Sequence, residues 1–226
     1  MKKDSLIIYS GGMDSTTLLY EYQNQIGLAI SFNYGSKHND MEFQYAKYNC
    51  EKLNIPLIRI DLDFMNYFNS NLLKGQGEIP EGHYTQENMK KTVVPFRNGI
   101  MLSIAVGLAD SKNLKKVLIA NHFGDHAIYP DCRNDFITNF TKASITGTSE
   151  NIEINAPYTL LSKRDIALKG KELGVDFAKT YSCYKGEKNH CGRCGTCVER
   201  LEALEGFDDT KYQDNNYWKG VCNENK

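Results

Sequence analysis

Residues 9–17 read Tyr9-Ser10-Gly11-Gly12-Met13-Asp14-Ser15-Thr16-Thr17, and the stretches on either side decide the fold. Before them lies Leu6-Ile7-Ile8-Tyr9, a short, continuously apolar run of the kind buried on both faces of a parallel sheet. After them Leu18, Leu19, Tyr22 and Ile26 recur at helical spacing, with Asp14, Ser15 and Thr16 in the first turn, where they are expected to cap free amides. Strand, turn and helix thus surround one anion-binding point. Gly11 and Gly12 permit dihedrals that bring backbone N–H groups close to an oxyanion, and the helix N-terminus adds partial positive charge. No G-x-x-x-x-G-K-[ST] string occurs and no lysine lies between Ser10 and Tyr20, so this is not a loop whose lysine reaches the β- and γ-phosphates. An ordinary strand-to-helix turn rich in capping residues is the bland alternative.

Working outward, Leu28-Ala29-Ile30-Ser31-Phe32 reads as a second strand ending at Asn33-Tyr34-Gly35, and Phe43, Ala46, Cys50 and Leu53 mark the buried face of a second helix. A third strand is expected at 57–61, a long apolar helix at 98–110, a fourth strand at 117–120 and a short fifth around Ile152 and Ile154. The alternation predicts an α/β domain with a doubly wound parallel sheet of about five strands, in which ligands bind beyond the carboxyl ends of the strands near a topological switch point. The polar clusters obey that rule. Ser10-Gly11-Gly12, Asn33-Tyr34-Gly35 and Asn121-His122-Phe123-Gly124-Asp125 each follow a strand, so they should converge on one crevice.

The chain has 226 residues, is 41% hydrophobic and carries a formal net charge of −1, which suits one folded domain with a small appendage and gives no global bias toward nucleic acid. Lys2 and Lys3 precede too few apolar residues for a signal peptide, and the apolar stretch at 100–109 is too short to span a bilayer, so no membrane association and a cytoplasmic location are expected. Residues 62–91 show weak periodicity around Gly75, Gly77, Pro80 and Gly82, and read as a long loop insertion that forms a lid or a subunit contact.

Seven cysteines in such a chain point to metal ligands, core residues or catalytic thiols rather than disulfides. Four of them, Cys183, Cys191, Cys194 and Cys197, make a tetrahedral zinc set in which Cys191-Gly192-Arg193-Cys194 forms the knuckle. With all four positions filled by sulfur the metal would be structural. An iron–sulfur cluster is the rival reading, and His190 could replace one sulfur or be a loop residue. The domain division is therefore 1–176 for the nucleotide-binding unit and 177–226 for the zinc-binding region.

Taken alone, Ser10-Gly11-Gly12-Met13-Asp14-Ser15 resembles the PP-loop, or N-type ATP pyrophosphatase, signature, whose members attack the α-phosphate of ATP and release pyrophosphate. Together with Val94-Pro95-Phe96-Arg97-Asn98-Gly99, Tyr129-Pro130-Asp131-Cys132-Arg133 and the cysteine knuckle, it resembles the 7-cyano-7-deazaguanine synthase family over residues 5–200. The resemblance implies an adenine nucleotide alpha hydrolase-like fold with a four-cysteine zinc site, a homodimer, and conversion of 7-carboxy-7-deazaguanine, ammonia and ATP to the nitrile precursor of queuosine. It also places Tyr9, Ser10, Gly11, Gly12, Met13, Asp14, Ser15, Thr16, Thr17, Leu18 and Leu19 as the ATP segment, with Mg2+ binding or helix capping as the two roles open to Asp14. No stable binding of nucleic acid is expected from such an enzyme.

Arg97 and Lys163, each at a helix start, are candidate clamps on phosphate or on the substrate carboxylate, or else surface salt-bridge partners. Asp131 could accept paired N–H donors of the guanine-like edge, with Arg133 on a carboxylate or phosphate; alternatively Asp131 caps the helix that holds Phe136 and Phe140. His122, Asp125 and His126 are open to proton transfer, magnesium binding or turn formation, and Cys132 to a nucleophilic or a passive role. Two competing classes remain: a PP-loop tRNA-modifying enzyme, and a zinc-ribbon nucleic-acid module using Lys185, Lys188, Arg193 and Arg200.

Overall fold

A computed structural model describes residues 3–83 and 87–223. Five strands, β1 (Ser5–Ile8), β2 (Ile26–Asn33), β3 (Leu57–Asp61), β4 (Lys116–Leu118) and β5 (Glu153–Asn155), form one sheet in the order β3-β2-β1-β4-β5. Every pairing is parallel, with Ile7 opposite Ala29 on one side and Leu118 on the other. The helices are α1 (Met13–Glu21), α2 (Asn39–Lys52), α3 (Arg97–Ser111), α4 (Asn134–Gly147), α5 (Lys163–Glu172), α6 (Gly195–Ala203) and α7 (Tyr217–Asn223).

Successive strand residues point to opposite faces, so the apolar run of β1 feeds two cores at once. Leu6 packs with Leu28, Ile30 and the α3 residues Leu102, Ala105 and Ala109. Its neighbour Ile7 packs with Ala29, Leu118, Leu18 and Leu19 of α1, Ala46 and Cys50 of α2, and Ile166 of α5. From β1 the chain runs through β2 to β3 on one side, then crosses to β4 on the other, which puts the switch point between β1 and β4. The glycine turn leaves β1 at that point.

The insertion is folded rather than loose. Between 62 and 83, Leu62, Met65, Leu72, Leu73 and Ile79 are buried in the larger core. Lys37 threads beneath it and its Nζ donates to the carbonyls of Asn71 and Gln76 at 2.8 and 2.9 Å and to that of Gly77. Further on, Glu81 bridges to Cys194 through the backbone and pairs with Lys185 and Arg193, at 2.8 Å each. These contacts give the described part of 62–91 the character of a brace between the sheet and the cysteine knuckle rather than a hinged lid; residues 84–86 lie outside the described residues.

Residues Met89–Ser111, with a mean hydropathy of 1.4 over their most apolar 18-residue window, are long and apolar enough in helical form to cross a membrane, which the 100–109 stretch alone is not. They do not form one uninterrupted rod. Phe96 adopts a left-handed conformation with φ 53° between a 3₁₀ turn (Glu87–Thr92) and α3, and α3 packs against β1 and β4 as a core helix. The cysteine-bearing region packs into the main core: Tyr181, Cys183, Cys191, Cys194 and Cys197 belong to the same buried cluster as Leu6 and Leu102.

Candidate active site and metal centre

Gly11 has φ 93°, and a Cβ there would lie 2.4 Å from the carbonyl oxygen of Glu42 in α2, so only glycine lets the turn press against that helix. The Gly11 carbonyl accepts the Tyr181 amide at 2.9 Å, which ties the turn to the cysteine-bearing region. No side chain caps α1. The expected capping by Asp14, Ser15 and Thr16 does not occur, because each hydroxyl or carboxylate is engaged elsewhere. Ser15 Oγ meets Ser10 Oγ at 3.1 Å and donates to the Gly12 carbonyl at 3.3 Å, while Thr16 Oγ1 meets the Tyr9 hydroxyl at 3.0 Å. The first-turn amides of α1 are left for an external acceptor, the arrangement an anion requires.

Tyr9, Ser10, Gly12, Met13, Asp14 and Ser15 line a cavity of about 210 Å³ at the switch point. The remaining residues of the expected ATP segment support it from behind: Leu18 and Leu19 are core, and Thr17 Oγ1 donates to the Met13 carbonyl at 3.0 Å. Tyr34 after β2, and Asn121 and Asp125 after β4, reach the same cavity, so the three clusters do converge.

Lys163 enters from the start of α5, where Ser162 and Asp165 form a reciprocal cap. Its ammonium lies 2.5 Å from Asp14 Oδ2, 3.3 Å from Glu199 Oε2 and 3.3 Å from His122 Nε2. Burial opposes the charge, but Asp14, Glu199 and Asp125 outweigh it and hold Lys163 above the ordinary lysine range. Among the described residues the second oxygen of Asp14, which is buried, has no hydrogen-bond partner. His122 accepts the Gly124 amide at its Nδ1, 3.1 Å away, and so fixes its own 3₁₀ turn. Glu199 comes from α6, immediately after the last cysteine, and sequence reasoning missed it because nothing local connects that helix to the glycine turn.

A second charge grouping sits where α2 and α3 begin. Arg97 donates to the Tyr34 hydroxyl at 3.3 Å, its guanidinium lies 5.7 and 5.9 Å from the ring centres of Tyr34 and Tyr129, and among the described residues no carboxylate is within ion-pair distance of it. Burial resists its charge, yet Tyr34, Tyr184, Tyr129 and Asp131 hold it firmly protonated. Close by, burial pushes the Glu42 carboxyl up to about 8 against the pull of Arg97, and burial plus Arg97 depress His38 to about 3. Glu42 lines the cavity with Tyr34, His38 and Tyr184. None of these four stood out as a ligand from residue type alone, except that Tyr34 follows a strand.

Asp131 and Arg133 do not line the cavity. Asp131 Oδ2 accepts the Asn98 amide at 2.7 Å and thereby caps α3, not the following helix, while the Arg133 Nε donates to the His126 carbonyl at 3.0 Å on the surface. Cys132 lines the cavity, but burial, Asp125 and Asp131 push its thiol well above the usual range, which makes it a poor nucleophile.

The four cysteines Cys183, Cys191, Cys194 and Cys197 are buried and bring their sulfurs within 4.8 Å of one another. Cys191 Sγ and Cys197 Sγ are 3.8 Å apart, which matches the edge of a tetrahedron, about 3.8 Å, built on metal–sulfur bonds of about 2.3 Å. The Cys191 sulfur accepts the amides of Arg193 and Cys194 at 3.4 and 3.3 Å, a turn made possible by Gly192 at φ 76°, where a Cβ would collide with the Asp214 carbonyl. His190 is no ligand here: its Nε2 accepts the Ser182 amide at 3.1 Å and its ring packs on Tyr181 and Tyr212. Of the four basic residues around the knuckle, Lys188 is exposed and three are engaged in the protein. Arg200 is fully buried, and Lys185 and Arg193 are paired with Glu81.

A family model described as queuosine biosynthesis protein QueC matches residues 4–208, a span that takes in the glycine turn and all four cysteines. The 7-cyano-7-deazaguanine synthase of Porphyromonas gingivalis is 57% identical over 192 residues, covering 84% of this chain and 87% of that protein. Its counterpart in Desulfotalea psychrophila is 52% identical over 215 residues, covering 92% and 98%. Among solved structures, NMN synthetase from Francisella tularensis superimposes with a TM-score of 0.50 at 13% identity over 98% of this chain and 86% of that one, a likeness of fold alone. On the extent and level of these matches, the chain belongs to the QueC family of queuosine biosynthesis proteins.

Proposed function

We propose that this enzyme is an ATP-dependent ligase that converts 7-carboxy-7-deazaguanine and ammonia to 7-cyano-7-deazaguanine. The observation that carries the reading is the uncapped start of α1 facing Lys163 inside one cavity at the switch point. A carboxylate is a poor acyl donor until its oxygen becomes a leaving group. The amides of residues 13–15 and the hydroxyls of Ser10 and Ser15 would hold the ATP phosphates, and Lys163 would neutralise charge that develops when the substrate carboxylate attacks phosphorus. Ammonia then displaces the activated oxygen to give the amide; in the second activation the amide oxygen bonds to phosphorus as one N–H proton is lost, and that oxygen then leaves with its phosphorus group as the second N–H proton is lost, giving the nitrile. Cys132 takes no covalent part, since ammonia attacks an activated acyl group unaided.

The unpartnered Asp14 oxygen, with Asp125 and Glu199 near Lys163, supplies the hard oxygen donors that Mg2+ prefers, and the ion would add charge neutralisation at the phosphates. Cys183, Cys191, Cys194 and Cys197 would hold one zinc as a closed structural site. The same reading takes the enzyme as a cytoplasmic homodimer without stable nucleic-acid binding, testable by sedimentation and by filter binding of tRNA across a salt series. Incubation with 7-carboxy-7-deazaguanine, ammonium, magnesium and ATP, followed by mass spectrometry of base and nucleotides, tests the chemistry and tells AMP plus pyrophosphate from ADP plus phosphate. Absence of both amide and nitrile would overturn the assignment.

A further inference from the structure

The α2–α3 end of the cavity has no role in the phosphate chemistry, yet it is built as carefully as the Lys163 end. Glu42 is 16% exposed, and among the described residues the one basic group within ion-pair distance of it is the His38 ring, at 3.8 Å, which burial and Arg97 keep neutral. Among the described residues no hydrogen bond reaches the Glu42 carboxylate. Arg97 likewise meets tyrosines and no carboxylate. An acceptor pair and a donor fork therefore open side by side into a slot bounded by Phe32, Tyr34, Met101 and Tyr184.

We propose that Glu42 and Arg97 together read the pyrimidine edge of a guanine-type base, Glu42 accepting the ring N1–H and 2-amino hydrogens and Arg97 donating to the 6-oxo oxygen. A guanine edge presents one acceptor beside two donors, the complement of a guanidinium beside a carboxylate. Adenine presents an amino donor at the position that faces Arg97, so the same pair rejects it. Asp131 is not available for this task, since its oxygen caps α3. The 7-carboxylate takes no part in this edge and is left to the rest of the same cavity, which the glycine turn and Lys163 line. The carbonyl of Glu42 packs on Gly11, so the base-reading end and the phosphate-binding turn are held at a fixed separation. Burial keeps the carboxyl protonated in the empty slot up to about pH 8; donors from a bound base, with Arg97 alongside, ionise it.

This inference rests on the proposed substrate, and the test separates the two. Steady-state kinetics of the wild-type enzyme are measured with the natural base and with its analogue lacking the 2-amino group, and repeated for Glu42→Ala and Glu42→Gln. The wild type should discriminate against the analogue about 10- to 100-fold in KM, the worth of a buried bond to a charged group. Glu42→Ala should accept both bases equally, and both variants should raise KM for the base while KM for ATP stays within about two-fold. Equal KM values for the two bases in the wild type, or a rise confined to ATP, would overturn the proposal, the latter by placing adenine in the slot. If the wild type makes no nitrile, the proposed reaction fails instead, and calorimetric binding of the guanine-type and hypoxanthine-type bases to the intact protein still decides the role of Glu42.

Discussion

Arg200 is fully buried and Arg97 partly so, and their surroundings could hardly differ more. The guanidinium of Arg200 spends its five N–H donors on five acceptors: the Tyr212 hydroxyl, the Thr180 and Ser182 hydroxyls, the Phe177 carbonyl and the Thr210 hydroxyl, at 2.6–3.1 Å. Arg97 has one such bond and three tyrosine neighbours. The same contrast holds for acids and sulfurs. In the cysteine region each sulfur faces three others, whereas among the described residues the cavity leaves an Asp14 oxygen without a hydrogen-bond partner and the Glu42 carboxylate with only the His38 ring beside it. Buried polar groups left open cost stability, so a cavity keeps them only where a ligand completes them, and a saturated region keeps its groups for the fold. Substitutions in the cysteine region should therefore be felt first in folding, and those in the cavity first in rate or affinity.

The largest effect expected is that of Cys194→Ser. A structural zinc contributes about 10–16 kcal/mol in isolated peptides, comparable with the whole stability of a domain. The variant should lose its stoichiometric zinc and its cooperative melting transition; an unchanged metal content and melting temperature would break the comparison. Iron and a visible absorption band after anaerobic purification would instead identify a cluster. Next comes Arg200→Met, which strands five acceptors and should cost about 3–5 kcal/mol by denaturant unfolding, while leaving KM for both substrates unchanged in the protein that remains folded.

Ser15→Ala should behave oppositely. Turnover should fall roughly 100- to 1,000-fold, as when one preorganised contact is removed, with a stability loss of about 1 kcal/mol from the lost Ser10 contact. Near-normal turnover would remove the glycine turn from the chemistry. The smallest effect expected is a pH-dependent one. Glu42 titrates near 8 when folded and near 4.5 when unfolded, so its contribution to stability is present below about 4.5 and lost as pH rises toward 8. Glu42→Gln should therefore melt higher than the wild type at pH 8.5 by on the order of 1 kcal/mol, or about 2–4 °C, with the difference closing at pH 4.5. His38, held near 3 by burial, acts in the other direction below about pH 6.5 and is common to both proteins. A gap independent of pH would mean that Glu42 is ionised in the empty cavity.

The elements legible in the sequence are those whose signal is local. The β1 run, the glycine turn and the Leu18-Leu19 face of α1 stand within two dozen residues, and the cysteine spacing states its own geometry. Lys163 was legible for the same reason, since Ser162 and Asp165 announce the start of α5. Other assignments failed where two distant segments compete for one side chain. Asp131 was expected to read the substrate edge or else to cap the helix beside it, yet its oxygen goes to Asn98, 33 positions earlier in the chain. Asp14 looks like a first-turn cap, yet Lys163 holds it from 149 residues away. Insertion 62–91 has no periodicity of its own because its buried residues answer to β2, the sheet core and the knuckle rather than to a helix or strand repeat.

By itself, then, the sequence determined the class of sheet, the glycine turn between strand and helix, the cysteine quartet and the family resemblance. Each follows from backbone periodicity, glycine conformations or ligand spacing within a short window. Only the tertiary structure decided that Glu199 from the cysteine region completes the Lys163 grouping, that Glu42 and Arg97 face one slot, and that Arg200 belongs to the interior. Those outcomes depend on which segments the parallel crossovers bring to the carboxyl ends of β1 and β4, and on how burial at that place sets the charge of each group.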